Sequence, residues 1–77
     1  MQASPTNIMV DVRNTLSREF GIELVGELAG LKGVSRAWVS PRTSRIVLVD
    51  YDPTVTDSQR ILGTVVRCGF DARLVGM

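Results

Sequence analysis

The apolar residues of this chain switch repeatedly between a spacing of two and a spacing of three or four. That order of periods narrows its fold more than any other feature. Ile8, Val10 and Val12 alternate with Met9, Asp11 and Arg13, the pattern of a half-buried strand. Phe20, Leu24, Leu28 and Leu31 then recur at steps of four, four and three, one face of a helix. Ser17 precedes the run as an N-cap, and Glu19 lies in the first turn, where a carboxylate meets the positive end of the helix dipole. Lys32 falls at the C-terminal end, and Gly33 is the expected left-handed terminator. Gly21, Gly26 and Gly30 each weaken this helix by roughly 0.5–1 kcal/mol relative to alanine. Periodicity and both ends still predict it.

Val34–Ser40 reads as a second strand, with Ala37 and Val39 on one face and Arg36 and Trp38 on the other. Pro41–Ser44 is a hairpin connection, and the β-branched run Arg45–Tyr51 is a third strand. Asp52-Pro53 stops it, because proline cannot continue a ladder. Thr56-Asp57-Ser58-Gln59 reads as a capping box with Thr56 as the cap. It opens a helix whose Ile61, Val65 and Cys68 share one face and which Gly69 ends. Phe70–Val75 is a last strand, Ala72 and Leu74 alternating with Arg73 and Val75. The order is βαββαβ. Right-handed crossovers then give an α+β, two-layer sandwich: four antiparallel strands in one sheet, two helices on one face. Residues 1–7 read as a flexible lead and residues 8–77 as one domain.

Composition bounds the chemistry. A chain of 77 residues is one domain. It buries only about 60–65% of its unfolded surface. Cys68 is the single cysteine, so no internal disulfide and no cysteine-pair metal site can form within one chain. The lack of a disulfide framework fits a reducing compartment, here the cytoplasm. There is no histidine, which removes the commonest general base and the commonest neutral metal ligand. Nine basic residues face eight acidic ones, a balance that points to neither nucleic acid nor anionic membrane. No apolar run is long enough to span a bilayer, and Met1–Thr6 has no signal-peptide character.

Several of these residues together resemble a known family. Gly33-Val34, then Ala37 and Val39, then Val47-x-Val49-x-Tyr51-Asp52-Pro53, then Ile61, then Gly69-Phe70-Asp71-Ala72-x-Leu74 are similar to the heavy-metal-associated, copper-chaperone-like pattern. The match runs from Ile8 to Leu74. The resemblance implies a ferredoxin-like fold and a role in metal transport or homeostasis. Members carry soft metals, usually Cu(I) or Zn(II), on a Met-x-Cys-x-x-Cys loop before the first helix. Counting back from Gly33, that loop falls on residues 15–20. Its methionine position is Thr15, the preceding glycine is Asn14, and the two cysteine positions are Ser17 and Phe20. Soft Cu(I) prefers sulfur, and neither a hydroxyl nor a phenyl ring substitutes for a thiolate. The resemblance keeps the fold and loses the dithiolate.

Each candidate residue has a plainer reading. Ser17 reads as a cap before it reads as a remnant ligand. Phe20 is expected in the core, at the head of the apolar stripe. Cys68 sits at the end where the family binds metal. As a lone ligand it would need a second thiolate from another chain, and its spacing from Ile61 and Val65 instead favours burial. Phe70 matches the family position that shields the metal loop; ordinary packing is the alternative. Asp50, Asp52 and Asp57 do not obviously converge as a hard-cation site needs. Met9, Trp38, Ile46, Leu48 and Val75 fall on the sheet face away from the helices, either as a partner surface or as scattered hydrophobes beneath arginine stems.

These residues imply a non-catalytic module in metal handling whose usual dithiolate is degenerate and which docks a protein partner or a second copy. The alternative is soft-metal binding through Cys68 thiolates shared by two chains, helped by Met77 or Met9. No nucleophile–base pair, phosphate loop or catalytic carboxylate cluster points to an enzyme. Trp38 alone on an edge strand does not make an RNA-stacking platform.

Overall fold

Strand β1 (Thr6–Val12) buries Ile8, Val10 and Val12 and leaves Met9 exposed, as the alternation requires. The computed structural model describes residues 6–13 and 16–75. The strand starts at Thr6, which pairs with Tyr51, and Asn7 pairs with Asp50. The last two residues of the expected lead therefore belong to the sheet; residues 1–5 lie outside the described ones.

Helix α1 (Arg18–Ala29) is capped by Ser17, whose Oγ accepts the Phe20 N–H at 3.2 Å. Its buried stripe is Gly21, Leu24 and Leu28. Phe20 is 56% exposed, contrary to the expectation from spacing. The helix is rotated by one residue at its first turn, so Gly21 faces the sheet. A Cβ on Gly21 would stand 3.4 Å from the Val39 Cγ2 atom, an ordinary van der Waals contact, so the helix lies directly against β2 here. The helix also ends earlier than expected. Gly30 is its C-cap, and Lys32 lies beyond it. Gly33 has a φ of +93° and turns the chain into the next strand instead of closing the helix.

Strand β2 (Val34–Val39) and strand β3 (Ile46–Tyr51) form an antiparallel hairpin, with a bulge between Val34 and Arg36. Ser40 Oγ accepts the Arg42 N–H and Thr43 Oγ1 accepts the Arg45 N–H, so the hairpin's own hydroxyls satisfy its backbone. The Leu16 N–H bonds the Ser44 carbonyl at 3.1 Å, which ties the start of α1 to this hairpin.

Helix α2 (Ser58–Arg67) is capped by Asp57, not by Thr56. The Asp57 carboxylate accepts the Arg60 N–H at 2.8 Å. Aspartate is the stronger cap, and Thr56 is held in the preceding turn, its N–H on the Asp52 carbonyl. The C-terminus is a complete Schellman motif. Gly69, with φ +97°, donates to the Val66 carbonyl at 2.9 Å, and Phe70 donates to the Val65 carbonyl at 3.3 Å. Strand β4 (Ala72–Leu74) is shorter than the alternation suggested and pairs antiparallel with β1.

The sheet order is β2-β3-β1-β4, antiparallel throughout. Val10, Val12, Val47 and Val49 meet Leu24, Leu28, Ile61 and Val65 in one core between the sheet and the two helices. Each such side chain stabilises the fold by about 1.5–3 kcal/mol on burial. The α+β, two-layer arrangement of four strands and two helices is the one the periodicity requires.

Candidate functional site

The start of α1 and the α2–β4 connection meet at one end of the domain. The Schellman motif carries Phe70 toward α1, where its ring meets Phe20 edge-on, centroids 6.3 Å apart and planes at 78°. Phe70 also packs against the core. Cys68, the C-cap of α2, is exposed. This corrects the expectation that it is buried: at this end Phe70, not Cys68, packs onto the core, and the cap residue turns outward. Phe20, Phe70 and Cys68 line a cleft of about 640 Å³ together with Glu23 and Glu27.

A soft metal ion needs at least two converging sulfur or nitrogen donors. Ser17 Oγ is engaged as the helix cap, and Phe20 offers a ring. Among the described residues no three His, Cys, Asp or Glu side chains converge. This donor set does not fit a metal held by one chain. Asn14, Thr15 and Met77 lie outside the described residues.

The remaining carboxylates singled out above are engaged by protein donors. Asp50 accepts from Asn7 Nδ2 at 2.8 Å. Asp52 Oδ1 accepts the Thr54 N–H and hydroxyl at 2.9 and 2.7 Å. These bonds, the hydroxyl's first, hold the Asp52 carboxyl below the usual carboxylate range.

On the open face of the sheet, Trp38 and Met9 both pair with Leu48, and Val75 donates its N–H to the Met9 carbonyl at 3.0 Å. Trp38, Leu48, Met9 and Val75 thus form an apolar row across four neighbouring chain segments. Ile46 lies two residues from Leu48 on the same face. The Arg36 guanidinium stacks over Trp38, 4.2 Å from the ring centroid. Asp11 sits beyond the row between Arg45 and Arg73, at 3.5 and 3.6 Å. Its Oδ1 makes no hydrogen bond, so the nearby Arg45 guanidinium is what compensates it.

A second groove, of about 620 Å³, was missed in the sequence. It runs between α1 and the edge strand β2, past Gly21, Val25 and Gly26, with Ile22 65% exposed on its rim. The glycines were its signal. They count as costs in an isolated helix, but here they open a trough.

No protein-family model and no curated protein sequence matches the chain. Solved structures do. Oxidized MerP from Ralstonia metallidurans CH34 has a TM-score of 0.82 at 18% identity, covering 94% of this chain and 99% of that one. Copper CopA from Bacillus subtilis has a TM-score of 0.79 at 22% identity, covering 100% of both chains. The yeast copper transporter domain CCC2A, solved in apo and Cu(I)-loaded states, has a TM-score of 0.78 at 26% identity over 95% of this chain and 96% of that one. The protein is therefore a ferredoxin-like βαββαβ domain. More narrowly, its fold is the one these metal-handling domains share. Among the described residues no helix is long and apolar enough to cross a membrane.

Proposed function

We propose that this is a non-catalytic heavy-metal-associated-like module working in metal transport or homeostasis, with its dithiolate site degenerate and its role moved to protein docking. The observation that carries the reading is the Phe20–Phe70 pair. An aromatic contact occupies the place where the resemblance puts a thiolate. The likeness to metal-binding domains of transporters supports the context. The apolar row of Trp38, Leu48 and Met9 supports docking, because a patch of this kind on a solvated sheet commonly marks a partner surface. The cytoplasm is the setting this reading implies.

A second reading rests on Cys68. Its thiol is exposed in the same cleft as Phe20, so two chains brought together there would offer two thiolates to one Cu(I) or Zn(II).

One titration separates the two. Reduced protein is titrated with Cu(I) and with Zn(II), and mass and elution are followed. The docking reading expects neither uptake nor a change of species. One metal per two chains, lost in Cys68→Ser, is the signature of the shared site. Tight uptake of one ion per chain would end both.

A further inference from the structure

Strand β2 is an edge of the sheet. Ser40 donates its N–H to the Ile46 carbonyl, so alternate residues from there face β3. The ladder's alternation turns the backbone N–H and C=O of Ala37 and Val39 outward. The opposite edge, β4, has only three residues. An added strand needs main-chain partners and room for its side chains on both faces. Here β2 has both.

On the helix side lies the α1–β2 groove. Nothing stands within 4 Å of where a Gly26 Cβ would be. On the open side lies Trp38 with the Arg36 guanidinium over it. The edge strand and the groove lining carry arginines and no carboxylate; Asp50, opposite Arg36, lies one strand in on β3 and accepts from Asn7. Arg18 lines the groove, and Arg42 lies on the hairpin that follows β2. Among the described residues no carboxylate forms an ion pair with Arg18, Arg36 or Arg42. Val34–Val39 contains no acidic residue. A second copy pairing through its own β2 would therefore set arginines against arginines.

We propose that the β2 edge captures an extended segment of a partner protein in which apolar residues alternate with carboxylates. The apolar side chains enter the α1–β2 groove, and the carboxylates lie beside Arg36 on the open face. The main chain bonds to Ala37 and Val39. This inference rests on the docking reading and names the chemistry of the partner.

The test titrates the isotope-labelled full chain with an amide-capped octapeptide alternating valine and glutamate. A valine–lysine peptide is the control. Amide shifts are expected at Ala37, Val39 and the Gly21–Gly26 stretch of α1, with the lysine peptide weaker by about tenfold or more. Gly26→Leu fills the groove while improving helix propensity, so it keeps the fold and weakens binding by about tenfold. Arg36→Glu inverts the preference between the two peptides. Ala37→Pro removes an outward N–H without touching the bonds to β3, and abolishes the shifts. Equal affinity for the two peptides, or no shift at millimolar peptide, overturns the proposal. Shifts confined to Met9 and Leu48 also overturn it, but leave docking through the open face standing. Tight uptake of one Cu(I) per chain instead removes the docking reading on which the proposal rests.

Discussion

Phe20 and Phe70 meet edge to face across the gap between the first turn of α1 and the α2–β4 turn, with their ring centroids 6.3 Å apart. Phe20 is more than half exposed, so the contact closes a surface cleft and is not part of the core. Such pairs contribute about 0.5–1.5 kcal/mol beyond the area they bury. A double-mutant cycle of Phe20→Ala and Phe70→Ala, read by urea denaturation, should give a coupling of that size. A coupling of zero would mean that the rings are merely neighbours.

The same geometry predicts where a dithiolate would hold a metal. Ser17 is a helix N-cap, where the dipole favours a thiolate, and Phe20 is accessible. The double substitution Ser17→Cys, Phe20→Cys should take up one Cu(I) per chain under reducing conditions. It should lose about 1 kcal/mol of stability with the serine cap. Failure to bind, with the fold intact by circular dichroism, would place the ligand positions elsewhere.

Gly33 and Gly69 both adopt positive φ, but they should not respond alike to alanine. A Cβ on Gly33 would stand 2.9 Å from Val55 side-chain atoms, whereas one on Gly69 meets open space. Gly69→Ala should cost about 1 kcal/mol from backbone strain alone. Gly33→Ala should cost about 2–3 kcal/mol, because strain and overpacking add. Equal losses in chemical denaturation would contradict the contact with Val55.

The two adjacent cap candidates of α2 are separable in the same way. Asp57→Ala removes the carboxylate that accepts the Arg60 N–H and should cost about 0.5–2 kcal/mol. Thr56→Val removes the neighbouring hydroxyl while keeping the side chain's shape, and should cost less. The reverse order would restore the Thr56 capping box.

Acid stability carries the mark of Asp52. Its carboxyl is depressed by the Thr54 hydroxyl and N–H, so its contribution is complete above the unfolded value near pH 4. That contribution disappears as pH falls through the lower folded value. Asp52→Asn keeps an acceptor for the turn and removes the titration. The variant should therefore lose less stability than the wild type as pH falls below about 4. Parallel pH profiles would remove Asp52 from the acid limb.

Much of this protein was determined by local rules, and those were legible in the sequence. Alternation in Ile8–Val12 and Val47–Tyr51, the Ser17 cap, the left-handed Gly69 and the order of elements all depend on near neighbours. The chain's own spacing records them. The two faces of the sheet follow from the same period of two, which is why Trp38, Leu48 and Met9 could be placed together.

What only the tertiary structure decided is how each helix is rotated and where it ends against the sheet. One residue of rotation at the first turn of α1 buries Gly21 and exposes Phe20, although both lie near the same stripe. The Schellman turn brings Phe70 onto the core and leaves Cys68 outside, although its spacing from Ile61 and Val65 argued for burial. The glycines of α1 open a groove only because β2 lies beside them. The rotation of α1 and the groove depend on packing between elements distant in sequence, and the exposure of Cys68 on where the α2–β4 turn meets the core; hydrophobic periodicity within one element carries no information about its partner.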